Sequence, residues 1–207
     1  MLPRRTLSVL AVVSLAMLGS SVASAIPSPA NSTVDECIRV CPAGDINFHV
    51  VVRDPANNPV AGSTVVVDFV NCFGLVICPQ LGSEPYTFVA PASILMTTNA
   101  AGVVDIPLRA GGVCVAAVNI FADGVLLAQR GAVSSPDQNG DAVVNATDQA
   151  IMAVKLGGPY DPTADLNCSG ALEIGDPNVL NAHLAHSCGA VVPTVPRSWG
   201  TVKIMYR

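Results

Sequence analysis

Short runs of alternating apolar and polar residues fill the chain between residues 45 and 130. From Ile46 to Val52 the apolar side chains recur at every second position, which is the period of a half-buried β-strand. Further strands are predicted at 63–69, 86–89, 103–108, 113–121 and 125–129. Turn signals separate these runs, among them Ala122-Asp123-Gly124, where glycine tolerates the positive φ of a hairpin turn. Six or seven short strands over about 100 residues predict an all-β antiparallel sandwich at residues 32–132.

The turns of this segment also carry a family likeness. Val52-Arg53-Asp54-Pro55 is followed by Pro59-Val60-Ala61-Gly62, and Thr97-Thr98-Asn99-Ala100-Ala101-Gly102 comes later. With these turns, most of residues 35–132 resembles the bacterial Ig-like domains of surface and secreted proteins. The resemblance implies an Ig-like sandwich. The cysteine-bearing insertion at 71–82 departs from the family pattern and is predicted to be a loop.

The first 25 residues have the pattern of an export signal. Arg4 and Arg5 precede an apolar core at 7–18, and Ala23-Ser24-Ala25 supplies small residues for cleavage. The apolar run is short for a membrane span of about 20 residues. The chain is therefore expected to be secreted or displayed at the cell surface, with no membrane span after cleavage.

Composition narrows the range of partners. The 207 residues carry a formal net charge of −5, and cleavage of the signal would leave about −7, since it removes two basic residues and no acidic ones. The remaining basic residues are scattered singly, so a nucleic-acid partner is not expected. All seven cysteines lie beyond the signal, which predicts disulfides and one unpaired thiol. Five precede residue 115 and two follow residue 165, a division that suggests two separately cross-linked units.

The pattern changes after Ser134-Ser135-Pro136, which is predicted to be a linker. Residues 137–189 contain seven carboxylates and one base, Lys155, an imbalance that a bound cation would relieve. The segment 137–148 places oxygen ligands at positions 1, 3, 5, 7, 9 and 12 of a twelve-residue loop, the arrangement that calcium uses in EF-hands. The predicted ligands are Asp137, Asn139, Asp141, the carbonyl of Val143, Asn145 and Asp148.

The same spacing recurs 28 residues later, at 165–176. Its predicted ligands are Asp165, Asn167, Ser169, the carbonyl of Ala171, Glu173 and Asp176. Each loop runs into a short predicted helix, the first at 149–156 and the second from Asp176 onward. Hard oxygen donors favour Ca²⁺ over softer metals, so the sequence predicts two calcium sites.

Two loop-helix units resemble a type I dockerin, the calcium-binding docking module of cellulosomal and other secreted bacterial proteins. The resemblance covers residues 134–190 and rests on both loops, each with Asp at position 12. It implies a small α module, and docking to a cohesin-like or cell-surface scaffold protein. Two features depart from the family. Ala142 replaces the turn glycine of the first loop, and the recognition positions 10 and 11 hold Ala146-Thr147 and Ile174-Gly175.

Other candidate chemistry is weaker. Four side chains near the C-terminal end are of types that bind zinc: Cys168, Cys188, His183 and His186. In an exported protein, however, a Cys168–Cys188 disulfide is the favoured interpretation. His49 has no nucleophile motif nearby, and Asp35-Glu36 are adjacent acids of the kind usually found solvated.

The expected function is therefore non-catalytic: calcium-dependent docking or assembly outside the cell. Two alternatives remain, an accessory component of polysaccharide degradation and a carbohydrate-binding sandwich, which would need an exposed aromatic platform. The tail at 191–207, which holds Trp199, is expected to dock back onto the protein or to act as an interaction peptide.

Overall fold

The computed structural model describes residues 25–189, and most of its regular structure is β-strand. The predicted export signal, apart from Ala25, and the tail at 191–207 lie outside the described residues. The strands are β1 (Thr33–Val34), β2 (Ile38–Arg39), β3 (Phe48–Val51), β4 (Thr64–Asp68), β5 (Val76–Ile77), β6 (Thr87–Val89), β7 (Ser93–Thr97), β8 (Val103–Ile106), β9 (Ala110–Gly111), β10 (Val118–Ala122), β11 (Val125–Arg130) and β12 (Val133–Ser134). Two short helices follow, α1 (Ala146–Leu156) and α2 (Gly175–Ala182).

Two antiparallel sheets form the β unit. One has five strands in the order β11-β10-β4-β7-β6, and the other has three in the order β1-β3-β8. Alternation along the strands explains their burial: Val65 and Val67 on β4, and Ile120 on β10, are buried and contribute to one hydrophobic core with Phe48 and Val50 of the other sheet. The expectation of an all-β unit is confirmed, whereas membership of the Ig-like family stays a prediction.

The predicted loop at 71–82 contains a short strand. β5 pairs with β9 in an antiparallel ladder, with Val76 opposite Gly111 and Ile77 opposite Ala110. The loop prediction is wrong at these two residues because the pairing partner lies more than 30 residues away and no local signal marks it.

The predicted linker at 134–136 is also not an open connection. Val133 and Ser134 form β12, which pairs in parallel with Ile38 and Arg39 of β2, and Ser135 and Pro136 are buried. The chain therefore enters its C-terminal unit along the edge of the β unit.

The C-terminal unit has a small core of its own, formed by Val144, Met152, Ala164, Leu166 and Leu180. Helix α1 begins with a complete capping box. The Asn145 side chain accepts a hydrogen bond from the backbone of the third helical residue, Asp148, and the Asp148 side chain accepts one from the amide of Asn145. Five buried side chains are a small core for about 55 residues, so the unit needs further stabilisation.

Disulfides supply part of that stabilisation, and they join the two units. Cys72 pairs with Cys114 within the β unit, but Cys37 pairs with Cys168 and Cys78 with Cys188. The expected Cys168–Cys188 disulfide and the two separately cross-linked units are therefore wrong. The reason is that both late cysteines face the β unit. Disulfides of this number are typical of proteins that mature in an oxidising compartment.

A buried arginine reinforces the contact between the units. The guanidinium of Arg109 donates to the carbonyl oxygens of Cys188 and Pro79 and forms an ion pair of 2.8 Å with Glu84. The amide of Leu81, followed by Arg109 and the amide of Gly82, lowers the pKa of Glu84 to about 2 against the opposing effect of burial. The Glu84 carboxylate therefore stays ionised well into the acidic range and holds the Arg109 side chain in place against the C-terminal unit.

Neither α1 nor α2 has the length and apolar character needed to cross a membrane, and this holds for all helices in residues 25–189.

Candidate calcium-binding loops

The first loop folds around two buried carboxylates at its ends. Asp137 accepts hydrogen bonds of 2.8 Å from the amides of Gly140 and Ala142, one on each carboxylate oxygen. Asp148 accepts bonds of 2.8 Å from the amides of Gln138 and Asn145. Both aspartates have no exposed surface. The loop is therefore closed on itself, with its first and twelfth residues on the inside.

The other predicted ligands of this loop lie at its rim. The Asn139 side chain donates to Asp141 at 2.9 Å, and Asn145 donates to the carbonyl oxygen of Val143 at 3.3 Å. Asp141 in turn accepts from the amide of Val143 at 3.0 Å. All six predicted residues of the first loop thus take part in hydrogen bonds within that loop.

The second loop repeats this arrangement almost bond for bond. Asp165 accepts from the amides of Ser169 at 3.0 Å and Gly170 at 2.8 Å, as Asp137 does from Gly140 and Ala142. Asp176 accepts from the amides of Leu166 at 2.8 Å and Glu173 at 2.9 Å, as Asp148 does.

The rim residues of the second loop also converge. The Asn167 side chain donates to Glu173 at 3.1 Å, and the Ser169 hydroxyl donates to the carbonyl oxygen of Ala171 at 3.1 Å. All twelve predicted residues therefore take part in hydrogen bonds within their own loops, and the two bonding patterns are related by the 28-residue repeat.

Sequence reasoning missed one residue whose side chain contacts the second loop. The hydroxyl of Tyr160 donates to Asp165 at 3.0 Å, and its pKa is raised by burial and by the carboxylates of Asp165, Asp176 and Asp161. Tyr160 precedes the loop by five residues and has no counterpart in the first loop, so the twelve-residue pattern carries no signal for it.

The electrostatics of the loops are unfavourable for the protein alone. Asp137, Asp148, Asp165 and Asp176 are buried, and within residues 25–189 none of them forms an ion pair with lysine or arginine. Burial raises the pKa of Asp137, the nearby charges of Asp148 and Asp141 raise it further, and only the amides of Gly140 and Ala142 act in the other direction. A cation held among these carboxylates would remove this penalty.

Two positions in each loop adopt left-handed backbone geometry. They are Gly140 and Ala142 in the first loop, with φ of 75° and 68°, and Cys168 and Gly170 in the second, with φ of 61° and 79°. Each loop therefore has glycine at one of these positions and a residue with a Cβ at the other. Because Ala142 has a Cβ, its left-handed conformation costs free energy that a glycine at this position would not cost.

Replacing Ala142 by glycine is expected to stabilise the protein by about 1 kcal/mol, because it relieves the left-handed strain of a residue with a Cβ. The free energy of unfolding in urea, measured with saturating calcium, checks this value. Ala150→Gly is the matched control: Ala150 is exposed on α1, and the same substitution there should cost about 1 kcal/mol. If both variants lost the same free energy of unfolding, Ala142 would not be strained.

Comparison with known proteins gives no relative for this chain. No protein-family model, curated protein or solved structure matches it.

Aromatic side chains do not form a platform on the described surface. Phe48, Phe69 and Tyr86 are buried in the β unit, and Phe88 and Phe121 are partly buried. In residues 25–189 the exposed aromatic residues are Phe73 and Tyr160. The carbohydrate-binding alternative thus gains no support from the β unit, since stacking on a sugar needs a broad exposed aromatic face.

Proposed function

We propose that the protein binds two calcium ions through its C-terminal loops and acts, without catalysis, in calcium-dependent docking or assembly outside the cell. The observation that carries this proposal is the set of four buried aspartates, Asp137, Asp148, Asp165 and Asp176, which lack a cationic side chain as partner in the described chain. Calcium is the cation that best suits them, because it accepts six to eight hard oxygen ligands in a flexible shell.

The repeat of the bonding pattern supports two equivalent sites. Each loop offers carboxylates at its first and last positions, a side-chain oxygen at positions 3, 5 and 9, and a carbonyl at position 7. The softer donors that would favour zinc or copper are absent from these twelve positions. Each last-position aspartate also lies in the first turn of a helix, where the helix dipole favours negative charge.

The docking role rests on what the loops leave exposed. Ala146, Thr147 and Ile174 occupy positions 10 and 11, and all three are exposed; the exposed fraction of Ile174 is 77%. A dockerin-like module would present these residues to a cohesin-like or cell-surface scaffold protein, and calcium would fix their geometry. Ala146 and Ile174 thus present apolar surface beside the Thr147 hydroxyl, which predicts a partner whose contact surface is partly apolar.

Calorimetric titration of calcium into the full chain from residue 26, with its disulfides formed, tests the proposal. Two calcium ions per chain are expected, and magnesium should compete weakly because it demands a rigid octahedral shell. The full chain is needed, since Cys168 and Cys188 are bonded to the β unit. Absence of binding heat at millimolar calcium would rule the proposal out.

A further inference from the structure

The unpaired cysteine belongs to a separate cluster of side chains that can bind a metal. This cluster contains a thiol and two imidazoles, whereas the candidate calcium loops offer only oxygen ligands. Cys41 is buried and is the free thiol among the seven cysteines. Its sulfur, one carboxylate oxygen of Asp45, and one ring nitrogen each of His183 and His186 all lie within 4.8 Å of one another. Cys41 and Asp45 come from the β unit, whereas the two histidines come from the end of the C-terminal unit.

A tight turn places the first two side chains together. The amide of Gly44 donates to the carbonyl oxygen of Cys41 at 2.9 Å, which closes a turn with Pro42 at its second position. Gly44 has φ of 74°, and a Cβ there would collide with the side chain of Arg109. In the protein alone, burial raises the pKa of the Cys41 thiol to about 12, and the Asp45 carboxylate acts in the same direction, so a bound metal would have to displace the thiol proton.

The histidines are held in an orientation suited to a metal. The Nδ1 atom of His183 lies 2.6 Å from the carbonyl oxygen of Val179, so this nitrogen must carry the proton and donate. Its Nε2 atom is then left with a free lone pair and faces Asp45 at 3.4 Å. Metal-bound histidines commonly donate their other ring N–H to a carbonyl in this way.

Three of the six distances between the four ligand atoms match the edges of a tetrahedron around one ion, and all six are within 4.8 Å. Zinc bonds of about 2.0 to 2.3 Å place neighbouring ligand atoms about 3.3 to 3.8 Å apart. His186 Nδ1 lies 3.5 Å from Cys41 Sγ and 3.3 Å from Asp45 Oδ2. The 3.4 Å between His183 Nε2 and Asp45 Oδ2 falls in the same interval.

Hydrogen bonds alone account less well for this geometry. Without a metal, the Cys41 thiol can donate to His186 Nδ1 or to Asp45, but His183 Nε2 can donate to Asp45 only if both nitrogens of its ring carry a proton. One cation at the centre satisfies all four groups at once.

We propose that Cys41, Asp45, His183 and His186 form a tetrahedral Zn²⁺ site that joins the two units. One sulfur, two imidazole nitrogens and one carboxylate oxygen are ligands that zinc accepts, and four protein ligands make a closed, structural site. Backbone hydrogen bonds connect this site to the first candidate calcium loop. The amide of Val144 donates to the carbonyl oxygen of His186 at 2.8 Å, and the amide of Ala185 donates to the carbonyl oxygen of Val144 at 2.8 Å.

Cobalt is the probe for this site, because Co²⁺ replaces zinc in tetrahedral sites and absorbs light when a thiolate binds it. The metal-free chain from residue 26 is titrated with Co²⁺ in excess calcium, which keeps the carboxylate loops occupied. One Co²⁺ per chain is expected, with a thiolate-to-cobalt charge-transfer band and the visible bands of a tetrahedral centre. One equivalent of Zn²⁺ should then abolish the spectrum.

Two variants and one control complete the test. Cys41→Ser should lose the charge-transfer band, and His186→Asn, which keeps the thiol, should lose the tetrahedral bands. His49→Ala removes a histidine that pairs with Asp105 on the β unit and should leave the spectrum unchanged. A far-ultraviolet circular dichroism spectrum identical to that of the unsubstituted chain shows that each variant is folded. A wild-type chain without the charge-transfer band, or a Cys41→Ser variant that retains it, would overturn the proposal.

Discussion

Asp137→Asn combined with Asp165→Asn should abolish the calcium-dependent rise in Tm of the full chain. At free calcium of 100 times the dissociation constant, each occupied site contributes about 2.7 kcal/mol of stability. For a chain of this size, 1 kcal/mol corresponds to about 2 to 4 °C, so two sites raise Tm by roughly 10 to 20 °C. Scanning calorimetry of both proteins with calcium and with chelator measures the difference.

The controls separate loss of the sites from loss of the fold. Asp105→Asn makes the same change of an acid to an amide at an exposed position of the β unit and should keep the full calcium effect. In chelator the double variant is expected to melt no earlier than the unsubstituted chain, since it removes two buried charges. A double variant that still gains stability from calcium would show that the ion binds elsewhere.

Removal of the Cys37–Cys168 disulfide by the double substitution to alanine is expected to have the second large effect. The bond joins residues separated by 131 positions, and loop closure of that length stabilises by up to about 5 kcal/mol; measured values for native disulfides are about 2 to 5 kcal/mol. Because Cys168 lies inside the second calcium loop, the same variant should also bind its second calcium ion more weakly. Urea unfolding and calcium titration measure the two effects.

The Cys72–Cys114 disulfide is the matched comparison. It spans 42 positions and lies within the β unit, so its removal should cost less closure entropy and leave both calcium affinities unchanged. Equal loss of calcium affinity in the two variants would mean that the bond to Cys37 does not organise the second loop.

Much of the β unit could be predicted because its strands have a local signature. The segments predicted at 63–69 and 125–129 coincide closely with β4 and β11, and on β4 the apolar side chains face the core at alternate positions. Strand β7 escaped detection because Ile94, Leu95 and Met96 are consecutive apolar residues without alternation. β7 lies between β4 and β6, and Leu95 and Met96 on it are half-buried, so neither face of the strand is marked by polar residues at alternate positions.

Long-range pairing is where sequence reasoning failed. The partners of Cys168 and Cys188 depend on how the C-terminal unit lies against the β unit, and no local pattern encodes that placement. The same holds for the burial of Ser135 and Pro136, which composition alone marks as a linker.

The two kinds of candidate site differ in the same way. Each candidate calcium loop is a contiguous twelve-residue segment, so its predicted ligands follow from spacing alone. The cluster of Cys41, Asp45, His183 and His186 joins residues about 140 positions apart, and the sequence showed its two histidines but paired them with the wrong cysteines.

The Cys37–Cys168 bond also determines how the protein would carry mechanical load. If the chain were pulled between its N-terminal end and a partner bound at the second loop, tension would pass from residue 37 directly to residue 168 through the covalent bridge. The strands and the first helix between those residues would bear none of the force. In a docked chain, the strands between residues 37 and 168 would therefore stay folded under a pulling force until the Cys37–Cys168 disulfide is reduced.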